Sequence, residues 1–258
     1  MDAVRVARQG GVASITLDRP DKLNAINDAM WERLAALFSE LDADPSLRCV
    51  VVRGAGERAF SVGADIGEFE HNRSSVERAR TYGERTHAAL VAIAGCRHPV
   101  IAEIRGLCVG GGLELAVCCD LRIAGESARF GIPVKRLGLV VAYAELQPLV
   151  DLIGPSAAME ILLEGEVFGA RRAYDMGLVN RLVPDDALGA EVEATAARIC
   201  EGAPLVARWH KRFTRRLLDP TPLSAEEEDE SYACFGTEDF RAGYQAFLAK
   251  TRPEFRGR

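Results

Sequence analysis

The feature that most constrains this fold is the alternation of short apolar segments with longer segments of helical periodicity. Four apolar segments have the length and composition of buried strands: Val12–Leu17, residues 49–52, Val100–Ile104 and residues 121–124. Helices are predicted between them: from Asn27 or Asp28 to Asp44, over residues 76–94, and from Gly110 onward. Such alternation is typical of an α/β fold whose strands pair largely in parallel.

The pattern changes towards the C-terminus. After a last predicted strand near residues 178–183, the sequence from about Ala203 becomes helical and more charged. We therefore expect an α/β core over residues 1–202 and a helical segment over residues 203–258. The basic run from Arg208 to Arg216 is expected to form a solvated helix face opposite the acidic run of residues 226–230.

Charge and composition argue against several classes of protein. A net charge of −6 disfavours a general role on nucleic acid or on an acidic membrane. The seven cysteines are an odd number without a C-x-x-C pair, so the sequence predicts neither a metal site nor a disulfide framework. The N-terminus lacks the pattern of a secretory signal, and no stretch reaches the roughly 18 apolar residues of a bilayer span. A cytoplasmic protein with no nucleic-acid or membrane partner is expected.

A glycine-containing loop follows the strand at residues 49–52. In residues 60–66, Gly63 precedes Ala64 and Asp65. Glycine permits unusual backbone angles and the close approach of a ligand, so this loop can point a backbone N–H at an oxygen. Considered alone, the loop is better explained as a tight turn between a strand and a helix.

Three consecutive glycines, residues 110–112, lead into the next predicted helix. The unpaired N–H groups of a helix N-terminus carry partial positive charge and suit a developing oxyanion. Glu114 lies in the first turn of this helix among apolar residues. A carboxyl group in apolar surroundings tends to have a raised pKa and can act as a general acid or base, although an acid at this position can also simply complement the helix dipole.

Taken together in order and spacing, these segments resemble the enoyl-CoA hydratase/isomerase, or crotonase, family. The resemblance rests on residues 18–25, residues 60–66, residues 110–115, residues 119–124, residues 130–133, residues 173–179 and residues 247–255. It covers nearly the whole chain, and the joint order of the motifs is more specific than any one of them. It implies a spiral of strand–strand–helix turns, with a helical C-terminal part that mediates trimers and often pairs of trimers.

The resemblance also implies roles for particular residues. Ala64 and Gly111 match the residues whose backbone N–H groups form the family's oxyanion hole, and Glu114 matches its first catalytic glutamate. The residues implied to contact coenzyme A are Lys22, Asn24, Ala25, Ala64, Asp65, Ile66, Gly111, Phe247 and Lys250, the last two often reaching the nucleotide from a neighbouring subunit. The expected substrate is a coenzyme A thioester, and no prosthetic group is expected.

This sequence departs from the family pattern at the expected second glutamate. That position, directly after the Phe-x-x-Pro segment, is Val134, which can neither accept nor donate a proton. The usual glycine-rich stretch after it is replaced by residues 139–146. Three hypotheses follow: Glu114 works alone on hydration; Glu145 or Tyr143 supplies the missing group, for hydration or for isomerisation, decarboxylation or thioester hydrolysis; or the protein binds acyl-CoA without turnover. Glu145 can also be explained as a helix-dipole partner, and Tyr143 as a packing residue.

A second glycine pattern lies at residues 54–59 and resembles a dinucleotide-binding motif. Residues 54–59 fit the dinucleotide pattern G-x-G-x-x-A after a strand. That interpretation requires a helix to begin within the pattern and an acid about 20 residues further on. The loop at residues 60–63 interrupts it, so a nicotinamide site is not expected.

Overall fold

The computed structural model describes residues 3–258, which form two sheets surrounded by helices. The strands are β1 (Val4–Gln9), β2 (Val12–Leu17), β3 (Cys49–Gly54), β4 (Ala59–Ser61), β5 (Val100–Ile104), β6 (Leu107–Val109), β7 (Leu121–Gly125), β8 (Arg129–Gly131), β9 (Phe168–Gly169) and β10 (Arg181–Val183). The helices are α1 (Asp28–Ala43), α2 (Phe69–Asn72), α3 (Val76–Gly95), α4 (Gly111–Cys118), α5 (Tyr143–Glu164), α6 (Ala170–Asp175), α7 (Leu188–Cys200), α8 (Pro204–Arg216), α9 (Ala225–Glu230) and α10 (Glu238–Ala249).

The larger sheet has six strands in the order β1-β2-β3-β5-β7-β10. Only β1 pairs antiparallel, with β2, and the remaining neighbours are parallel. Each apolar segment identified in the sequence contributes a strand to this sheet. The predicted α/β fold with largely parallel pairing is therefore confirmed.

The smaller sheet has the order β4-β6-β8-β9 and lies along the loops that follow the larger strands. Its members are two or three residues long, too short for a periodic pattern. The sequence analysis therefore did not identify them. Because β4 begins at Ala59, a strand stands where a dinucleotide motif would need a helix, which agrees with setting that motif aside.

Helix α1 shows how closely the sequence predicts some elements. Asn27 is its N-cap, and the Asn27 side chain accepts a hydrogen bond from the N–H of Met30 at 3.1 Å. The predicted apolar stripe of Met30, Leu34, Leu37 and Leu41 is buried. The helix packs against α3, which begins at Val76 as predicted.

Helix α5 differs from the sequence-based expectation. Within the described residues it is the one helix whose length and composition would allow it to cross a membrane, although the sequence analysis expected no such segment. Gly154, with φ 77° and ψ 162°, interrupts the helix beside Pro155. Each half is therefore shorter than the roughly 20 residues of a membrane-spanning helix.

The C-terminal segment is helical as predicted, but its basic run is not simply a solvated face. Arg216 does pair with Glu227 of the acidic run, at 2.5 Å. Lys211, however, is largely buried and pairs with Asp120 at 2.7 Å, and Arg215 reaches the same carboxylate at 3.1 Å. These two contacts fasten α8 to the α/β core, while the division of the chain at residue 202 stays a prediction.

Candidate active site

The loop after β4 leaves one backbone amide free. Gly63 adopts φ +87°, and its carbonyl oxygen accepts from the N–H of Ile26 at 2.7 Å. The N–H of Asp65 donates to the carbonyl oxygen of Ile26 at 2.9 Å. Between these two bonds, the N–H of Ala64 donates to no residue within the described range 3–258. The loop therefore holds this amide in place without using it.

The N-terminus of α4 presents a second free amide. Gly110 adopts φ +54°, its N–H donates to the carbonyl oxygen of Gly131 at 2.9 Å, and its carbonyl oxygen accepts from the N–H groups of Leu113 and Glu114. Gly111 is the first residue of the helix, so its N–H has no partner within the helix. Across the part of the chain that the structure covers, no other acceptor takes it.

These two amides are neighbours. A methyl group added at Gly63 would lie 2.6 Å from the nitrogen of Gly111, and one added at Gly111 would lie 3.5 Å from the nitrogen of Ala64. Ala64 and Gly111 also line one cavity. The structure thus brings together the two backbone donors predicted from the sequence, and the absence of a side chain at Gly63 is what permits the approach.

Glu114 lies in the same cavity and is 8% exposed. Burial raises its pKa from 4.5 to about 8. The charge of Glu145 adds to the increase, and the guanidinium of Arg73 opposes it. A carboxyl group with this pKa populates both protonation states near neutral pH, as general acid–base chemistry requires.

The cavity encloses about 130 Å³ and is lined mainly by apolar and aromatic side chains. Its lining residues are Trp31, Val62, Ala64, Ile66, Phe69, Arg73, Tyr82, Thr86, Val109, Gly110, Gly111, Glu114, Pro133, Val134, Leu137, Leu139, Val140, Val141 and Glu145. Val134 is therefore part of the wall, so the position that departs from the family pattern presents an apolar surface to the cavity.

Glu145 combines the two roles that the sequence left open. It occupies the first turn of α5, where its Oε2 accepts the N–H of Ala142 at 3.1 Å, and it also lines the cavity with Glu114. Tyr143, by contrast, is 93% exposed and is not among the lining residues. Tyr143 is therefore not a packing residue within a single subunit, because its ring is exposed at the start of α5.

The residues predicted to contact coenzyme A fall into different environments. Asn24 is fully buried: its Nδ2 donates to the carbonyl oxygens of Ala59 at 2.7 Å and Ala55 at 3.0 Å, and its Oδ1 accepts the N–H of Arg19 at 3.0 Å. Its side chain therefore holds the turn that supports the loop of residues 60–66. A direct contact of that side chain with a ligand is not compatible with this burial.

The other predicted contacts lie nearer solvent. Asp65 pairs with Arg19 at 2.8 Å and accepts the N–H of Gly67, while Ile66 is exposed at the cavity wall. Lys22 ends a short 3-10 turn and precedes the buried Ala25. The prediction that these residues contact coenzyme A is untested.

The last two predicted contacts lie at the end of α10. Phe247 is 83% exposed, and Lys250 caps the helix with φ +55°. Neither residue lines the cavity of its own chain. A contact with the nucleotide from a neighbouring subunit stays a prediction.

Sequence reasoning missed several side chains of the cavity, among them Trp31, Arg73 and Tyr82. The indole Nε1 of Trp31 donates to the hydroxyl of Tyr82 at 3.0 Å, which joins α1 to α3 across the cavity wall. Arg73 follows α2 and lies against the rings of Phe69 and Tyr82. Residues 70–80 are mostly charged or polar, so no local pattern distinguishes Arg73 from its solvent-exposed neighbours.

The fold is that of an α/β protein in which two unbonded backbone amides, those of Ala64 and Gly111, line one cavity. The family model for enoyl-CoA hydratase/isomerase matches residues 7–258. The chain therefore belongs to the enoyl-CoA hydratase/isomerase family, and it has the crotonase fold.

Known relatives agree with this assignment over their full length. The chain is 34% identical over 246 residues to a crotonyl-CoA hydratase from Syntrophomonas wolfei, covering 95% of this chain and 94% of the relative. A solved structure of an enoyl-CoA hydratase/carnithine racemase from Magnetospirillum magneticum is 49% identical, with a TM-score of 0.98 and coverage of 100% and 97%. An enoyl-CoA hydratase structure from Bacillus anthracis is 29% identical, with a TM-score of 0.93 and full coverage of both chains.

Proposed function

We propose that this enzyme adds water to a 2-enoyl-CoA thioester. The observation that carries the proposal is the pair of unbonded amides of Ala64 and Gly111, which meet in a cavity that also contains the buried Glu114. Attack of water on the double bond moves negative charge onto the thioester oxygen as an enolate. Two preorganised donors in a cavity of low polarity stabilise that charge, each by about 3 kcal/mol in the transition state.

Glu114 is the group proposed to move protons. Hydration requires a base for the attacking water and an acid for the α-carbon. Since burial raises its pKa to about 8, Glu114 is present in both forms near neutral pH. In the simplest scheme, this one carboxyl group takes the proton from water and delivers a proton to the enolate.

The coenzyme A part of the substrate is proposed to follow the segment from Lys22 to Ala25 and the loop at Asp65 and Ile66. Phe247 and Lys250 of a neighbouring subunit would reach its nucleotide end. The reaction needs no prosthetic group, because the thioester itself accepts the electron pair. The cavity of about 130 Å³ is smaller than the roughly 300 Å³ of ordinary ligand pockets, which favours a short acyl group.

A second form of the proposal gives Glu145 the role of the second proton-transfer group. Val134 presents no proton-transfer group, whereas Glu145 shares the cavity with Glu114. Glu145 would then supply the second carboxylate, for hydration or for another reaction through an enolate, such as isomerisation, decarboxylation or thioester hydrolysis. The alternative function is that of a non-catalytic protein, which binds acyl-CoA without turnover.

The first experiment follows the loss of enoyl-thioester absorbance with crotonyl-CoA. We expect measurable hydration that falls by at least about 100-fold in Glu114→Gln. Glu103→Gln is the matched control, because Glu103 is another carboxyl whose pKa burial raises, and it lies outside the cavity. Undiminished turnover in Glu114→Gln would remove the role assigned to Glu114. If wild-type protein binds acyl-CoA but does not turn it over, the alternative of a non-catalytic acyl-CoA-binding protein is favoured.

A second experiment separates the roles of Glu145. If Glu145 supplies the second carboxylate, Glu145→Gln lowers hydration strongly and Val134→Glu adds little to the wild-type rate. If Glu145 serves only the N-terminus of α5, Glu145→Gln has a small effect on the rate. In that case Val134→Glu produces a large gain in hydration.

The C-terminal segment bears on how the subunits assemble. The C-terminal segment carries exposed apolar side chains, among them Leu217, Leu218, Tyr232, Phe235, Phe240, Tyr244, Phe247 and Leu248. Such a surface fits a subunit interface, so we propose a homotrimer or a dimer of trimers in the cytoplasm. No interaction with nucleic acid or membrane is proposed.

A further inference from the structure

Arg73 is a cation in the acyl cavity that the proposed hydration does not use. It follows α2, and its guanidinium carbon lies 4.4 Å from the ring centre of Phe69 and 4.8 Å from that of Tyr82. Arg73 lines the same cavity as Glu114 and Glu145. Hydration of a simple enoyl chain requires water, the two amides and a carboxyl group. Arg73 affects that chemistry only by opposing the rise in the pKa of Glu114.

The guanidinium of Arg73 has the hydroxyl of Tyr82 as a polar partner, but it lacks the carboxylate partner that a partly buried arginine normally has. Its Nε is buried and makes no hydrogen bond within residues 3–258. Nor does the group form an ion pair with any carboxylate in that range, although Arg19, Arg85 and most other arginines here do. Buried donors are nearly always satisfied, so an unsatisfied donor in a cavity indicates that a ligand supplies the acceptor.

The paired N–H donors of the guanidinium favour a planar anion as that ligand. Aromatic rings near the guanidinium hold it by cation–π contact, and its N–H groups lie in the guanidinium plane. The two N–H groups along one edge of a guanidinium match the two oxygens of a carboxylate.

The carboxyl groups already in the cavity do not fill this role. Glu145 accepts the N–H of Ala142 at the start of α5, and Glu114 lies beside the free amides on α4. An uncharged acyl chain would leave the guanidinium desolvated, with only Phe69 and Tyr82 to compensate for the lost water.

We propose that the substrate of this enzyme carries a carboxylate at the far end of its acyl chain, and that Arg73 binds it. This inference rests on the proposed function, because it names the class of enoyl-CoA that the site accepts. A terminal carboxylate held by Arg73 would fix the depth of the chain in the cavity. The thioester oxygen would then lie at Ala64 and Gly111 and the double bond beside Glu114.

The test compares two saturated ligands of the same shape by calorimetry, so it needs no turnover. Glutaryl-CoA ends in a carboxylate, and 5-methylhexanoyl-CoA ends in an uncharged isopropyl group of similar size. We expect wild-type protein to bind glutaryl-CoA about 10-fold to 100-fold more tightly than its uncharged counterpart, as for a charge-assisted pair that excludes water. Arg73→Met should reduce this ratio to about 1, and Arg73→Lys should retain part of it, since a lysine is a point charge without the paired donors.

Arg80→Met is the matched control, because it removes the same charge from an exposed position outside the cavity and should leave the ratio unchanged. A wild-type ratio near 1 would overturn the inference, whatever happens to the variants. An Arg73→Met variant that weakens both ligands equally would also overturn it, because Arg73 would then contact the coenzyme A part that both ligands share.

Turnover provides an independent comparison between glutaconyl-CoA and 5-methyl-2-hexenoyl-CoA. Preference for glutaconyl-CoA in kcat/KM, lost in Arg73→Met, supports both the function and the inference. Binding selectivity without hydration of either thioester would sustain the Arg73 site and refute the hydratase proposal. Equal hydration of both would sustain the hydratase and refute the Arg73 site.

Discussion

At the scale of single residues, the raised pKa of Glu114 makes the stability of the folded protein depend on pH. It is largely buried, and the folded state raises the pKa of its carboxyl group from 4.5 to about 8. Between those two pH values the folded protein retains a proton that the unfolded chain releases. The contribution of Glu114 to stability therefore decreases as the pH rises through this window.

This linkage predicts a measurable difference between wild type and Glu114→Gln. The glutamine does not titrate, so from pH 5 to pH 8 the free energy of unfolding of wild type should decrease relative to that of the variant. The relative loss should be on the order of 4 kcal/mol. Urea unfolding at both pH values measures it, with the exposed Glu126→Gln as control. Parallel pH dependences in wild type and Glu114→Gln would show that the carboxyl group has an ordinary pKa.

Gly63 is the second residue on which the site depends. Its φ of +87° disfavours any side chain, and a methyl group there would lie 2.6 Å from the nitrogen of Gly111 and 2.9 Å from the carbonyl oxygen of Val109. The methyl would therefore occupy the position in front of one of the two free amides. Strain and obstruction are separate effects, and a suitable control separates them.

We predict that Gly63→Ala lowers kcat/KM by about 100-fold to 1,000-fold, as for the loss of one oxyanion-hole donor. Gly177→Ala is the control, because Gly177 has a similar φ of +83° but open space where a methyl group would lie. Both variants should lose thermal stability from backbone strain, and Gly63→Ala should lose more, because its methyl group also lies within 3.0 Å of two backbone atoms. Equal catalytic loss in the two would mean that the strain, rather than the blocked amide, lowers the activity.

At the scale of elements, Asp120 joins the end of α4, the start of β5 and the helix α8. Its Oδ2 accepts the N–H of Val100 at 2.7 Å and pairs with Lys211 at 2.7 Å, and its Oδ1 pairs with Arg215 at 3.1 Å. The Lys211 side chain is only 8% exposed, so removing either partner leaves a poorly solvated charge. One carboxylate thereby holds the C-terminal segment against the core that carries the cavity.

A double-mutant cycle tests this connection. Asp120→Ala and Lys211→Met should each lower the free energy of unfolding by about 3 kcal/mol, and the double variant should lose clearly less than their sum. The exposed pair Arg171–Asp175 serves as control, with an expected coupling of at most about 0.5 kcal/mol. Strictly additive effects at Asp120 and Lys211 would show that the two side chains do not interact.

At the scale of the whole molecule, the exposed apolar surface is concentrated on the helical C-terminal segment. Phe247 and Leu248 lie next to each other near the end of α10 with 83% and 65% exposure. Neighbouring apolar side chains on one element are costly in water and indicate a covered surface. The predicted contact of Phe247 and Lys250 with coenzyme A on another subunit requires an assembly of this kind.

We predict that the 28.0 kDa chain sediments with three or six times its monomer mass. Leu248→Glu should shift the protein towards monomer by placing a charge in the interface, whereas Val76→Glu, at a residue 72% exposed at the start of α3, should not. Sedimentation equilibrium measures both. A wild-type protein that remains a monomer at micromolar concentration would refute the assembly and the contribution of Phe247 from a neighbour.

Much of the large sheet and of the central site can be predicted from the sequence, because the signals are local. Val12–Leu17 and Val100–Ile104 are short, mostly apolar segments, and Asn27 is a recognisable cap. Gly63 and the glycines at 110–112 mark the two turns of the site. Gly63 and Gly110 adopt positive φ, and a side chain at Gly112 would lie 2.4 Å from the carbonyl oxygen of Ser61. The strands of the small sheet and the position of Arg73 carry no such signal.

The sequence by itself determined the order of the main helices and of most strands of the larger sheet, the two glycine turns and the absence of a carboxylate at Val134, because each depends on neighbouring residues in the chain. Only the tertiary structure decided which groups meet. It placed the amide of Ala64 beside that of Gly111, Glu145 in the cavity of Glu114, and Arg73 between two rings. These contacts join segments that are far apart in sequence, and their distances depend on how the whole core packs.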